Sequence, residues 1–365
     1  MTSRDRVFRA IAHKTVDRPP VDGWFGPGAW RKLKQYLGIT DDEELRRRLG
    51  LDFRQVIMEP APDFKKKADF FPLNAVGLVE ASYIVQSIGN NLFEDEWGVR
   101  IGLDEDGANW HYAYHPLSGQ LSSGRQDITA PVPDLSAPGR FDKAAAEARR
   151  WKEDYAICAG VSTLFRQAWL LCGFSEFLEA LLTNRAGVER LLDQLFEYFL
   201  KQTRAYIEAG ADIIQLLGDL GSQSSMFMSP ALWRSIFKPR MKALIDATKR
   251  YGVRFFLHSD GSIEAIIPDL IEIGIDMLNP IQPECTDPLD IKRKYGDHLV
   301  LHGTISLQRT LTMGTPEEVR AEVQKRVEEC GQDGGLILAP SNVVTDDVPV
   351  ENIVALYDSV QEMAE

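Results

Sequence analysis

His258 and Asp260 stand two residues apart, directly after an apolar run at 253–257. On a strand that spacing turns both side chains to one face, and an imidazole beside a carboxylate can bind a metal ion or exchange protons. The structural alternative is a histidine that caps the next helix, with Asp260 and Gly261 forming its turn. Asp219 lies between Gly218 and Gly221 in Gly218-Asp-Leu-Gly-Ser-Gln. Glycines there let backbone and ligand approach closely, so the acid can orient a substrate or donate a proton. Cys285 follows Asn279-Pro-Ile-Gln-Pro-Glu and is the one cysteine placed where loops could bring it to His258. One sulfur, one imidazole and carboxylates from Asp260 or Glu284 would make a zinc site with an open position. Otherwise Cys285 is a small buried hydrophobe. Gln223, Asn279, Gln282, His302 and Asn342 lie at other expected strand ends and are candidates for polar substrate contacts. Trp24 and Phe25, after the expected first strand, are candidate pocket walls, against the commoner role of such rings in packing.

These residues need a scaffold that gathers strand ends. From Tyr155 onward short apolar runs alternate with segments of helical period, as in βα units on a parallel sheet. The runs fall at 156–161, 177–182, 212–217, 253–257, 276–279, 299–302 and 336–339, and helical stretches at 186–209, 230–251, 263–273, 288–295, 316–330 and 349–363. No GxGxxG turn follows any run, which removes the usual support for a dinucleotide-binding sheet. A (β/α)8 TIM barrel is expected, as one domain over residues 1–365, with chemistry at the carboxyl ends of its strands. The first 150 residues are less regular: a helix at 4–12, a proline-rich entry to Trp24 and a strand at 53–58. Alternating polar and aromatic residues split by Asp-Gly, within 90–125, suggest a β-hairpin inserted as a lid or rim.

A chain of 365 residues, 44% hydrophobic and 26% charged, can bury a large core. Its net charge of −13 disfavours nucleic acid and anionic membrane surfaces, which require a basic face. The basic runs at 46–48 and 65–67 are expected to be solvated faces. No segment reaches the roughly 20 apolar residues of a membrane helix, and no signal-like run opens the chain, so a cytoplasmic location is expected. Four scattered cysteines without a CxxC argue against a disulfide framework or zinc ribbon.

The stretches Glu208-Ala-Gly-Ala-Asp-Ile-Ile, Gly218-Asp-Leu-Gly-Ser-Gln, Leu257-His-Ser-Asp-Gly, Asp276-Met-Leu-Asn-Pro-Ile-Gln, Leu301-His-Gly-Thr-Ile and Ile337-Leu-Ala-Pro carry a resemblance. So, more faintly, do Asp17-Arg-Pro-Pro and Asp95-Glu-Trp-Gly. In this order they resemble the uroporphyrinogen decarboxylase superfamily, which includes the decarboxylase and the corrinoid-dependent methyltransferases. The decarboxylase branch has an arginine-bearing Met-Arg-Gln-Ala-Gly-Arg segment soon after its first strand. Here Gly23-Trp-Phe-Gly-Pro-Gly-Ala-Trp stands instead, and tryptophans cannot supply the bidentate partners that tetrapyrrole carboxylates need. The methyltransferase branch binds zinc with His-x-Cys and a later Cys. This chain keeps the histidine as His258 but has Asp260 and Asn342 at the cysteine positions. What remains resembles the aryl methyl ether demethylase-like members.

The resemblance implies methyl transfer between a small donor, with methoxylated aromatics as candidates, and a corrinoid. A metal or an acid would activate the leaving oxygen. With no Asp-x-His-x-x-Gly segment in the chain, the cobalamin would arrive on a partner corrinoid protein; homodimerisation is left open. The rivals are decarboxylation of a uroporphyrinogen-like or smaller carboxylate, with Asp219 and His258 as proton carriers, and a non-catalytic barrel that binds a corrinoid or tetrapyrrole.

Overall fold

The computed structural model of the chain describes residues 1–65, 85–103 and 110–364. Among them are eleven strands: β1 (Phe53–Gln55), β2 (Val85–Gly89), β3 (Leu92–Asp95), β4 (Arg100–Leu103), β5 (Trp110–Tyr114), β6 (Ala156–Ser162), β7 (Ile213–Leu217), β8 (Arg254–His258), β9 (Met277–Asn279), β10 (Val300–His302) and β11 (Leu336–Ile337). Seven of them pair in parallel in the order β1-β6-β7-β8-β9-β10-β11. Every residue of β6 and β7 is buried, as expected of parallel strands covered on both faces. The expected α/β barrel is thus present.

Residues 20–25 bridge the two edges of this sheet. Val21 pairs in parallel with Leu338 and Phe25 with Val344, while the Asp52 amide donates to the Val21 carbonyl at 3.0 Å. This irregular segment takes the eighth position and closes the curl. Inside lies a core of Phe53, Ala156, Cys158, Ile213, Phe256, Met277, Val300 and Ile337. Helix Ser3–Ile11 closes its floor: Thr2 accepts from the Asp5 amide as N-cap, and Val7 and Ile11, four residues apart on one face, join the interior cluster. Helices outside the strands form the larger core.

At the amino ends of the strands, three aspartates each accept from a neighbouring backbone amide and pair with arginine. Asp52 is fully buried and takes Arg6 at 2.7 Å, Arg18 at 2.8 Å and the Val21 amide at 2.8 Å. Asp212 takes Arg4 at 2.9 Å and the Ile157 amide at 3.1 Å. Asp276 takes Arg254 at 3.1 Å and the Phe255 amide at 2.7 Å.

Three expectations need correction. The run 177–182 is helical, within Phe174–Thr183. Phe177, Ala180 and Leu181 are its buried residues, a helical spacing, and Leu182 is 77% exposed. The stretch 230–251 breaks at Phe237 into helices Pro230–Ile236 and Lys238–Thr248, because Pro239 has no amide to continue the ladder. The insertion is a four-stranded antiparallel meander, β2-β3-β4-β5, rather than one hairpin. Asn90 and Asn91, at φ 53° and 56°, turn β2 into β3, the positive pair that suits a tight hairpin. The Asp-Gly turn anticipated at 106–107 lies outside the described residues. Trp97 packs edge-on against Tyr198 with centroids 4.6 Å apart, and Glu96 pairs with buried Arg140 at 2.6 Å, so the meander's contacts run to the helix layer. Among the described residues no helix is long and apolar enough to cross a membrane.

Candidate active site

The ends of β7, β8 and β9 are level, because His258 is in register with Leu217 on one side and Asn279 on the other. Asp219 and Asp260 each lie just beyond their strand. Their two loops are laced together: the Gly218 amide donates to the His258 carbonyl at 3.1 Å, Leu220 to Ser259 Oγ at 2.9 Å, and Ser262 to the Ser222 carbonyl at 2.8 Å. Gly261 has φ +83°, and a Cβ there would sit 2.3 Å from the Ser222 oxygen, so only glycine lets the loops close to this distance.

This lacing delivers the Asp260 amide to Asp219 Oδ1 at 2.9 Å and places His258 Nε2 at 3.7 Å from the same oxygen. One donor atom from each of Asp219, His258 and Asp260 lies within 4.8 Å of the others. Asn342 Nδ2 donates to Asp260 Oδ2. The Trp24 ring lies 5.1 Å from the His258 ring and 6.1 Å from that of Phe256. His258 is no helix cap: the next helical turn, Glu264–Ile266, is preceded by Ile263 and has no side-chain cap.

A cavity of about 530 Å³ opens beside Asp260. Gln223, Gln282 and Asn342 line it with Asp260, together with Ser222, Gln308, Ser341 and Thr345; among the described residues no arginine or lysine does. Gln223, expected at a strand end, reaches across to Gln308 at 3.2 Å. Asn279 and His302 are 3% and 2% exposed and stand behind His258, bonded to one another at 2.7 Å. Phe25 is not beside Trp24's partners: its ring neighbours are Trp30 and Tyr357.

Glu284 and Cys285 do not join the three donors. Glu284 instead accepts from Ser306 Oγ. Burial, with the Glu284 and Asp260 charges near it, pushes the Cys285 thiol up, which disfavours the thiolate that a metal requires. Cys158, Cys172 and Cys330 are buried, and burial raises each of their thiols as well.

Asp22, which motif reasoning passed over, faces His302 Nε2 at 3.2 Å. Its signal was faint: Asp22 stands at the end of Pro19-Pro-Val with a single glycine after it, where Asp219 has glycines on both sides.

One imidazole nitrogen and two carboxylates, without thiolate, form a donor set that suits zinc or another divalent cation of similar preference. Fold and site together define a barrel with its polar cluster at the carboxyl ends of the strands, where barrel enzymes carry their chemistry. The chain belongs to the uroporphyrinogen decarboxylase (URO-D) family, whose profile matches residues 134–363. It is 28% identical to a methylcobamide:CoM methyltransferase, MtaA, of Methanosarcina barkeri, over 99% of this chain and 98% of that one. It is 25% identical to a uroporphyrinogen decarboxylase of Thermus thermophilus over the same shares. A methyltransferase from Methanosarcina mazei has the same fold, with a TM-score of 0.67, 20% identity and 99% of each chain covered.

Proposed function

We propose that the protein is a cytoplasmic methyltransferase that moves a methyl group between a small donor, a methoxylated aromatic being preferred, and a corrinoid carried by a partner protein. The observation that carries this is the convergence of His258 Nε2 with the Asp219 and Asp260 carboxylates, beside a cavity that Asp260 lines and whose lining, among the described residues, has no lysine or arginine. The carboxylates of a tetrapyrrole would meet no guanidinium among that described lining. The methyltransferase relative, at 28% identity over nearly the whole chain, supports the same choice.

His258, Asp219 and Asp260 would hold a zinc ion, which supplies Lewis-acid activation of the leaving oxygen. Asn342 fixes Asp260 by donating its amide to Oδ2, so that oxygen is held by a neutral donor. Asp219, ionised as a ligand, has no proton to give; its side chain is 46% exposed, so water reaching the site would supply the proton to the leaving oxygen. In the transfer the cobalt(I) electron pair forms the bond to the methyl carbon, the carbon–oxygen bond breaks toward oxygen, and that oxygen is protonated. Trp24 walls the site beside His258, and Gln223 and Gln282 offer hydrogen bonds to the rest of the donor.

The uroporphyrinogen decarboxylase relative supports a second reading, loss of carbon dioxide from a smaller carboxylate with Asp219 and His258 as proton carriers. Metal analysis of the purified protein, with methyl transfer to cob(I)alamin from a panel of methoxy-aromatics, separates the two. About one zinc per chain and methyl transfer are expected. If His258→Ala changes neither, the assignment falls.

A further inference from the structure

A chain of four buried side chains runs from Asp22 to the mouth of the barrel. Asp22 Oδ1 accepts from the Gly23 amide at 2.8 Å, and its Oδ2 lies 3.2 Å from His302 Nε2. His302 Nδ1 lies 2.7 Å from Asn279 Nδ2, and Asn279 Oδ1 lies 2.6 Å from His258 Nδ1. Asp22, His302, Asn279 and His258 are each less than 9% exposed.

A carboxylate only accepts, and a neutral imidazole has one donor and one acceptor nitrogen. Facing Asp22, His302 must therefore carry its hydrogen on Nε2, which leaves Nδ1 as acceptor. That nitrogen takes the NH2 end of Asn279, so the amide oxygen is turned to His258 and accepts from its Nδ1. His258 therefore carries its hydrogen on Nδ1, and Nε2, the nitrogen that faces Asp219, is the unprotonated one.

We infer that Asp22, His302 and Asn279 are positioning residues that lock His258 in the one tautomer able to bind a metal through Nε2. The inference deepens the metal-assisted reading and rests on it for its purpose, though the lock itself exists without metal. Removing such outer partners of a ligating histidine typically weakens metal binding by about 10–100-fold.

Asp22→Asn tests it, because the Gly23 amide keeps the side-chain oxygen and leaves an NH2 facing His302. That donor reverses every link, and the hydrogen on His258 moves from Nδ1 to Nε2. In metal-free protein labelled with nitrogen-15 histidine, long-range nitrogen–hydrogen spectra report the tautomer directly. The native chain should show His258 protonated on Nδ1 and His302 on Nε2. Asp22→Asn should show both reversed, with the zinc dissociation constant, measured by chelator competition, raised about 10–100-fold. His302→Gln, which keeps an acceptor toward Asn279 and a donor toward Asp22, should retain the native His258 tautomer and affinity. A native His258 protonated on Nε2, or an Asp22→Asn protein that keeps the hydrogen on Nδ1, overturns the lock; should Asp22→Asn not fold, a His302→Gln protein that loses the native tautomer does so. A tautomer switch in a protein that takes up no zinc supports the lock and sinks the metal reading.

Discussion

The two ends of the barrel treat aspartate in opposite ways. At the amino ends Asp52, Asp212 and Asp276 each have an arginine and a strand amide, so their charge is matched and their oxygens are occupied. At the carboxyl ends the donor atoms of Asp219, Asp260 and one imidazole lie within 4.8 Å of one another, and among the described residues no lysine or arginine lines the cavity beside Asp260. Two carboxylates so close repel, and the fold tolerates this only because backbone and glycine lacing holds the loops. One end is arranged for stability and the other gathers like charges around one imidazole, the local conflict expected where function is sited.

The largest effect should come from the matched end. Asp52→Ala leaves buried Arg18 without its anion and Arg6 with Asp17 alone, and should cost about 3–5 kcal/mol in urea unfolding; a loss under about 1 kcal/mol would erase the contrast. Next, zinc at about 100 times its dissociation constant should stabilise the native chain by about 2.7 kcal/mol in thermal or urea unfolding. No such gain is expected in His258→Ala. Asp219→Asn should raise the stability of the metal-free protein by about 0.5–1 kcal/mol while depressing methyl transfer, the trade-off seen when a strained site is relieved. If it destabilises instead, the carboxyl end is matched by some other means.

The smallest effect belongs to acid. Asp17 is held well below the usual carboxylate range, first by its hydrogen bond to Arg6. A depressed folded-state pKa gives stability that is present above the unfolded value of about 4 and is lost as pH falls below it. Stability followed by urea unfolding from pH 5 to pH 2 should therefore fall less steeply in Asp17→Asn than in the native chain.

Much of the site was legible because its residues lie within two positions of strand ends that periodicity locates. His258 closes β8 and Asp260 follows two residues on, while Asp219 announces itself by its glycines. The misjudged parts depend on contacts that spacing does not encode. Phe177–Leu182 carries enough apolar residues for a strand, but their burial follows helical period. Glu284 and Cys285 follow the right strand, yet the loop turns Glu284 to Ser306. Asp22 meets His302 from 280 positions away, a pairing that no local pattern reports.

The bridging segment at 20–25 has a consequence for how the molecule is made. Its partners Leu338 and Val344 leave the ribosome more than 300 residues after it, and contacts of such long range form late and slowly. Trp24 and Asp22 therefore have no place to dock during most of synthesis. A nascent chain halted before residue 338 would hold His258 with nothing to set its hydrogen, so competence to take up metal should arise only once the tail has emerged.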